Sequence, residues 1–165
     1  MILGVDIGNY ATKTSTGTTF PSKCSQVSNI LKNTSITTEQ GTFHIGEGAH
    51  DMEYRKARKQ NILPLFLYAL SFESASIKAV VGLPMSQYKQ DKDALKALLL
   101  SRRVYDIAIN NKPQKVILED VEVYPEGLAA IYGTDFEGVL IDIGGRTTDC
   151  CEVHNGKEKR TGQKL

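Results

Sequence analysis

VDIGNYATK at residues 5–13 and IDIGGRTTD at residues 141–149 align without a gap, with Asp, Ile, Gly and Thr at the same offsets. Each copy reads as an apolar strand, an acidic residue near its end, a tight glycine turn and a Thr-containing return strand, and self-similarity of this kind marks a duplicated building block. A glycine lacks Cβ, so backbone N–H groups around it can converge on one point and form an anion cradle. Thr12, Thr147 and Thr148 add hydroxyl donors, and Lys13 adds a positive charge beyond the first turn. Asp6 and Asp142, at the ends of their strands, suit a hydrated Mg²⁺, which keeps most of its waters and is bound through one or two carboxylates. The pattern is that of a paired phosphate site. It is not a P-loop, because no G-x-x-x-x-G-K-[ST] occurs, and it is not Rossmann-like, because no G-x-G-x-x-G follows a strand.

Working outward, Ile2 to Ile7 and Ala11 to Thr16 form the first hairpin, and Thr34 to Gly48 suggests a second, smaller one around Gly41. Residues 21–33 are ambiguous. Leu63, Phe66, Leu67 and Leu70 recur at helical spacing, with Pro64 in a first turn, so a helix is expected from about Ile62. Ile77 to Leu83 is a nearly continuous apolar run, as in a strand buried on both faces. A helix over Asp91 to Leu100, strands over Val104 to Ile109 and Lys115 to Val123, and a short helix over Glu126 to Tyr132 closed by Gly133 follow. Val139 to Ile143 and Thr147 to Val153 flank the Gly144-Gly145 turn, and Asn155-Gly156 allows one returning strand. The order is that of an α/β layer architecture.

Composition narrows the function classes. The 165 residues are 41% hydrophobic and 24% charged, with 14 Gly and 5 Pro, which is the range of folded domains and excludes disorder and collagen-like repetition. A net charge of +1 supplies no global field for nucleic acid or an anionic membrane. The longest apolar run, Ile62 to Leu70, is about half the roughly 20 residues that span a bilayer, and the N-terminus lacks a basic region and a long apolar core, so a cytoplasmic location without membrane contact is expected. Three cysteines, two of them the adjacent Cys150 and Cys151, read as reduced thiols rather than a disulfide framework. His44, His50 and His154 lack zinc-site spacing. The dense basic run Arg55-Lys56-Ala57-Arg58-Lys59 reads as the solvated start of a helix, with a contact site for a partner or nucleic acid as the alternative.

The two hairpins, the Gly82-Leu83-Pro84 strand exit and Pro125-Glu126-Gly127-Leu128-Ala129-Ala130 resemble the actin superfamily, and within it the bacterial actin-like ATPases of the ParM and Alp type. The resemblance covers nearly the whole chain. It implies an actin/ribonuclease-H-like α/β domain, a five-stranded mixed sheet with helices, carrying a small α+β insertion subdomain. Residues 1–140 would be the first domain, about 22–60 the insertion, and 141–165 the start of a second nucleotide-binding domain that is otherwise missing. By the same resemblance Asp6 and Asp142 organise Mg²⁺, while Gly8, Asn9, Tyr10, Thr12, Lys13, Gly144, Gly145, Arg146, Thr147 and Thr148 surround the phosphates of ATP. Tyr10 would shape the cleft or a subunit contact, and Arg146 replaces the small residue more common in the superfamily. Glu126 would orient the attacking water, with Asp142 beside it as the second catalytic carboxylate. A carboxylate on a helix's first turn suits that part, though it could instead satisfy the helix N-terminus.

The implied function is an ATPase subunit that polymerises head to tail into a dynamic filament, probing no DNA itself but moving plasmid DNA through a separate adaptor protein. Far fewer residues follow Asp149 than separate the two hairpins, so the chain is expected to be the N-terminal half of such a protein, with weak nucleotide binding and negligible turnover alone. The alternatives are a sugar or acetate kinase or a chaperone of the same superfamily, and a non-enzymatic module that caps filaments of a longer homologue.

Overall fold

Alternation dictates the first layer. In the computed structural model, which describes residues 1–28, 34–144 and 148–164, strand β1 (Ile2–Ile7) buries Leu3, Val5 and Ile7 and turns Ile2 and Asp6 outward. It pairs antiparallel with β2 (Ala11–Thr14), which pairs antiparallel with β3 (Thr19–Pro21). The second hairpin is β5 (Ser35–Thr38) and β6 (Gly41–Ile45), with the two-residue β4 (Cys24–Ser25) beside β6. Helix α1 (Ile62–Leu70) has every residue buried, as expected of a helix that is apolar all round. Its Pro64 stands in the first turn, where an N–H would have no intrahelical acceptor.

Strand β7 (Ile77–Leu83) lies between β1 and β9 (Lys112–Pro125) and is parallel to both. Buried on one face only, it departs from the sequence expectation. Ile77, Ala79, Val81 and Leu83 face the core, whereas Lys78 is exposed and Val80 and Gly82 are half-buried beside an open cleft. Strand β9 starts earlier than expected because Asn110 and Asn111, at φ 50° and 64°, make a two-residue hairpin loop with β8 (Val104–Ile109). Its first half pairs antiparallel with β8 and its second half parallel with β7. The mixed set β3-β2-β1-β7-β9 is the five-stranded sheet, and β8, β5, β6 and β4 continue it into a nine-stranded one.

Helix α2 (Met85–Leu99) begins six residues before the predicted start. Its inward face carries Gln87, Asp91, Leu95 and Leu99 at four-residue spacing, so the first half of that face is polar and invisible to an apolar-period reading. The predicted helix over 126–132 is also corrected. Glu126 extends the sheet, its N–H bonded to Leu83 O at 2.8 Å, and Gly127 at φ 78° turns the chain into a short 3₁₀ turn, Leu128–Ile131. A second sheet, β10 (Gly138–Ile143), β11 (Thr148–His154) and β12 (Lys157–Lys164), is antiparallel throughout, and β11 and β12 join at Asn155-Gly156 as expected. Met85, Cys151 and Val153 form its small core with Leu128, Ile131 and Leu140. Among the described residues no helix is long and apolar enough to cross a membrane.

Candidate functional site

The parallel strands β1, β7 and β9 end side by side, and the crevice beyond the carboxyl ends of such strands is where open α/β sheets bind ligands. Here that crevice is a cleft of about 830 Å³, bounded on its far side by the end of β10. Asp6, Gly8, Asn9, Tyr10 and Lys13 line it from the first hairpin, Glu126 from the end of β9, and Asp142 and Gly144 from the second hairpin. The two copies of the sequence repeat therefore meet across one cleft.

Local geometry explains the turn residues. Gly8 N–H donates to Ala11 O at 3.1 Å, and a Cβ on Gly8 would stand 2.9 Å from that oxygen, so only glycine closes this turn unstrained. Asn9 Oδ1 accepts from Lys59 Nζ at 2.7 Å. Tyr10 is exposed and meets the His50 ring edge-on, with centroids 5.1 Å apart. Thr12 stands apart from the others. It is fully buried, its hydroxyl 2.8 Å from Ser22 Oγ, and it is absent from the cleft wall because its neighbour Lys13 takes the outward face of β2. Thr148 starts β11 opposite Ile143, also off the cleft wall. Gly145, Arg146 and Thr147 lie outside the described residues.

Three participants escaped the sequence reading. Lys56, in the basic run, is 5% exposed, and its Nζ donates to Glu126 Oε1 at 2.6 Å and lies 3.9 Å from Asp6 Oδ1. The run is thus no solvated helix start. Arg55 forks onto Asp91, Lys56 N–H donates to Gln87 Oε1 at 2.9 Å, and Lys59 reaches Asn9, so partners on α2 and the cleft hold it as a 3₁₀ turn, Lys56–Arg58. Nor does Glu126 serve a helix N-terminus, since its carboxylate is committed to Lys56. Gly82 is the second: a Cβ there would fall 2.8 Å from Glu126 Cγ, so glycine makes the space in which Glu126 lies.

The third is Asp149. In the first hairpin Asp6 stands opposite Lys13; in the second, Asp142 stands opposite Asp149. The repeat itself carried this signal, because Lys13 and Asp149 occupy the same offset. Like charges placed directly opposite repel. Asp149 is buried, and its carboxyl is pushed up to about 6, first by burial and then by Glu126 and Asp142. Gly127, at φ 78°, brings the chain close to this pair; a Cβ there would lie 3.4 Å from Asp142 Cβ.

This acid-rich cleft has the chemistry of a site for a cation-bound anion: oxygen donors on two sides, a glycine cradle, and the ammonium of Lys56 between Asp6 and Glu126. Among the described residues no three His, Cys, Asp or Glu side chains are arranged to grip a metal ion directly. The carboxylates of Asp6 and Asp142, both on the cleft wall, are oxygen donors of the type a hydrated Mg²⁺ takes.

Residues 4–128 match the family described as actin like proteins N terminal domain. No curated protein matches the sequence. Among solved structures the fold is similar to that of AlfA from B. subtilis plasmid pLS32 in its filament, with TM-score 0.77 and 18% identity over 98% of this chain and 70% of that one. It is also similar to the apo psk41 ParM protein, with TM-score 0.76 and 15% identity over 98% of this chain and 65% of that one. A third is Ta0583, an archaeal actin homolog in complex with ADP, with TM-score 0.71 and 21% identity over 94% of this chain and 56% of that one. At these identities the likeness is one of fold.

Proposed function

The chain belongs to the actin-like proteins, whose N-terminal domain it carries, and from that premise we propose that it binds Mg-ATP between its two Asp-x-Gly hairpins and polymerises into a dynamic filament. The observation that carries this reading is the convergence of Asp6, Glu126 and Asp142 on one glycine-edged cleft. Bound Mg-ATP supplies the phosphoanhydride whose terminal P–O bond is broken by water, giving ADP and phosphate. Asn9, beside the turn that Gly8 closes, offers its backbone N–H and amide N–H groups to the phosphates, and Lys13 offers charge. Asp6 and Asp142 orient the metal's waters, and Glu126 accepts a hydrogen bond from the attacking water. In this reading residues 1–140 form the first domain, with 22–60 inserted, and 141–165 open the second.

Similar folds support the assembly half of the proposal, because AlfA and Alp12 are both filament structures, and AlfA is found bound to AMPPNP. The cargo is plasmid DNA, held through a separate adaptor, which suits a net charge of +1. The protein works in the cytoplasm. Sedimentation combined with phosphate release, with Mg-ATP or Mg-ADP and the protein as its natural source produces it, tests the proposal. Pelleting with ATP followed by phosphate release and disassembly is the expected result; no pelleting and no phosphate would overturn it.

A further inference from the structure

Lys56 is not placed like a surface lysine. Its backbone N–H is held by Gln87 Oε1, and the Gln87 amide donates in turn to Tyr54 O at 2.9 Å, so main chain on both sides of Arg55 is tied to α2. Arg55 adds a two-pronged bond to Asp91, itself 4% exposed. With its Cα anchored in this way, only the four-carbon stem of Lys56 can move. The stem ends in the cleft, with Nζ 2.6 Å from Glu126 Oε1 and 3.9 Å from Asp6 Oδ1. Its side chain is 6% exposed, against 25% for Glu126 and 53% for Asp6, so the ammonium is the deepest charge of the three.

We infer that Lys56 is a latch on Glu126 that responds to the terminal phosphate of a nucleoside triphosphate. The inference rests on the cleft being a nucleotide site, as proposed above. In the structure the ammonium occupies Glu126 Oε1 and turns that oxygen toward Lys56 instead of toward water. A terminal phosphate offers more negative charge and more acceptor oxygens than one carboxylate, so it competes for the same three N–H donors. Once Lys56 swings to it, Glu126 is free to take up water. A diphosphate lacks that group and leaves the latch on Glu126. Lys56 thereby ties the readiness of Glu126 to the presence of the bond that is to be broken, and prefers triphosphate over diphosphate.

Equilibrium binding by fluorescence anisotropy, with a labelled non-hydrolysable ATP analogue and labelled ADP in Mg²⁺, separates this from a structural role. The Lys56→Met change should weaken the ATP analogue about tenfold and ADP less than about threefold, while Lys56→Arg retains the preference. Glu126→Gln removes the negative charge that competes for the ammonium and should tighten the analogue several-fold, a gain that disappears in the Lys56→Met/Glu126→Gln double variant. Equal weakening of both nucleotides by Lys56→Met, or no tightening in Glu126→Gln, would overturn the inference and leave the nucleotide site standing. If Lys56→Met does not fold, the Glu126→Gln and Lys56→Arg arms decide. Binding of neither nucleotide by the unaltered protein would overturn the proposed function and this inference with it.

Discussion

Replacing Gly82 by Ala adds one methyl group to the cleft, and the structure states where it goes. The new Cβ falls 2.8 Å from Glu126 Cγ and 3.2 Å from Glu126 Oε1. Unstrained carbon–carbon contacts are about 3.5–4.0 Å, so the Glu126 side chain must retreat by about 1 Å. A retreat of that size stretches its 2.6 Å bond to Lys56, whose backbone is held by Gln87. A buried ammonium that loses its partner costs about 1–3 kcal/mol, while exchanging glycine for alanine in a strand returns about 0.5–1 kcal/mol. A net loss of about 1 kcal/mol lowers the melting temperature of a chain this size by about 2–4 °C. The proposed hydrolysis suffers far more, because a 1 Å misplacement of a positioning group can cost about a hundredfold. Thermal unfolding and phosphate release are measured on Gly82→Ala, Glu126→Ala and the double variant. In the Glu126→Ala background nothing remains for the methyl to displace, so the stability loss from Gly82→Ala should vanish. An unchanged melting temperature with turnover within twofold of the parent, or a loss that persists without Glu126, would refute the reasoning.

Other perturbations report on neighbouring parts of the cleft. Glu126→Ala itself should slow phosphate release by about a hundredfold, as removal of a general acid–base group does, with ADP affinity nearly unchanged in anisotropy titrations. Asp149 titrates near 6 in the fold against 3.8 for an ordinary aspartate, so the folded chain favours its protonated form. The associated stability is complete below the lower value and is lost as pH rises through about 6. Asp149→Asn should therefore raise stability by about 1–2 kcal/mol at alkaline pH after solvent screening, and change little below about pH 4, as read from denaturant unfolding without divalent cations. Thr12→Val strands the buried Ser22 hydroxyl and should cost about 1–2 kcal/mol in the same assay, yet leave nucleotide affinity intact, because Thr12 does not reach the cleft.

Much of the fold was legible because its signals are local. Alternation in β1, the Asn155-Gly156 turn and the all-apolar Ile62–Leu70 segment each lie within a few residues, and the repeat of Asp-Ile-Gly showed that two such hairpins belong together. The cleft is lined by Asp6, Gly8, Asn9 and Lys13 of one repeat and Asp142 of the other, which the local pattern singled out, and by Glu126, which only the family resemblance pointed to. Where reading by period failed, a polar residue had taken a core position. Gln87 and Asp91 hid the first two turns of α2, since their inward side chains serve hydrogen bonds to Lys56 and Arg55 rather than apolar packing. Thr12 is a further case: a polar residue that joins the interior, where Ser22 satisfies it.

What the residues determined by themselves, then, is a pair of Asp-Ile-Gly hairpins on an α/β frame, since backbone turns and strand periodicity are written in adjacent side chains. The tertiary structure alone decided which charges face one another. Lys56 meets Glu126 across 70 positions of sequence, and five basic or small residues in a row look the same whether water or a carboxylate receives them. Likewise Gly82 acquires its purpose only when β9 lies alongside β7 and delivers Glu126 over it. Electrostatic pairing depends on distance in space, and distance in space is set by how the strands are ordered in the sheet.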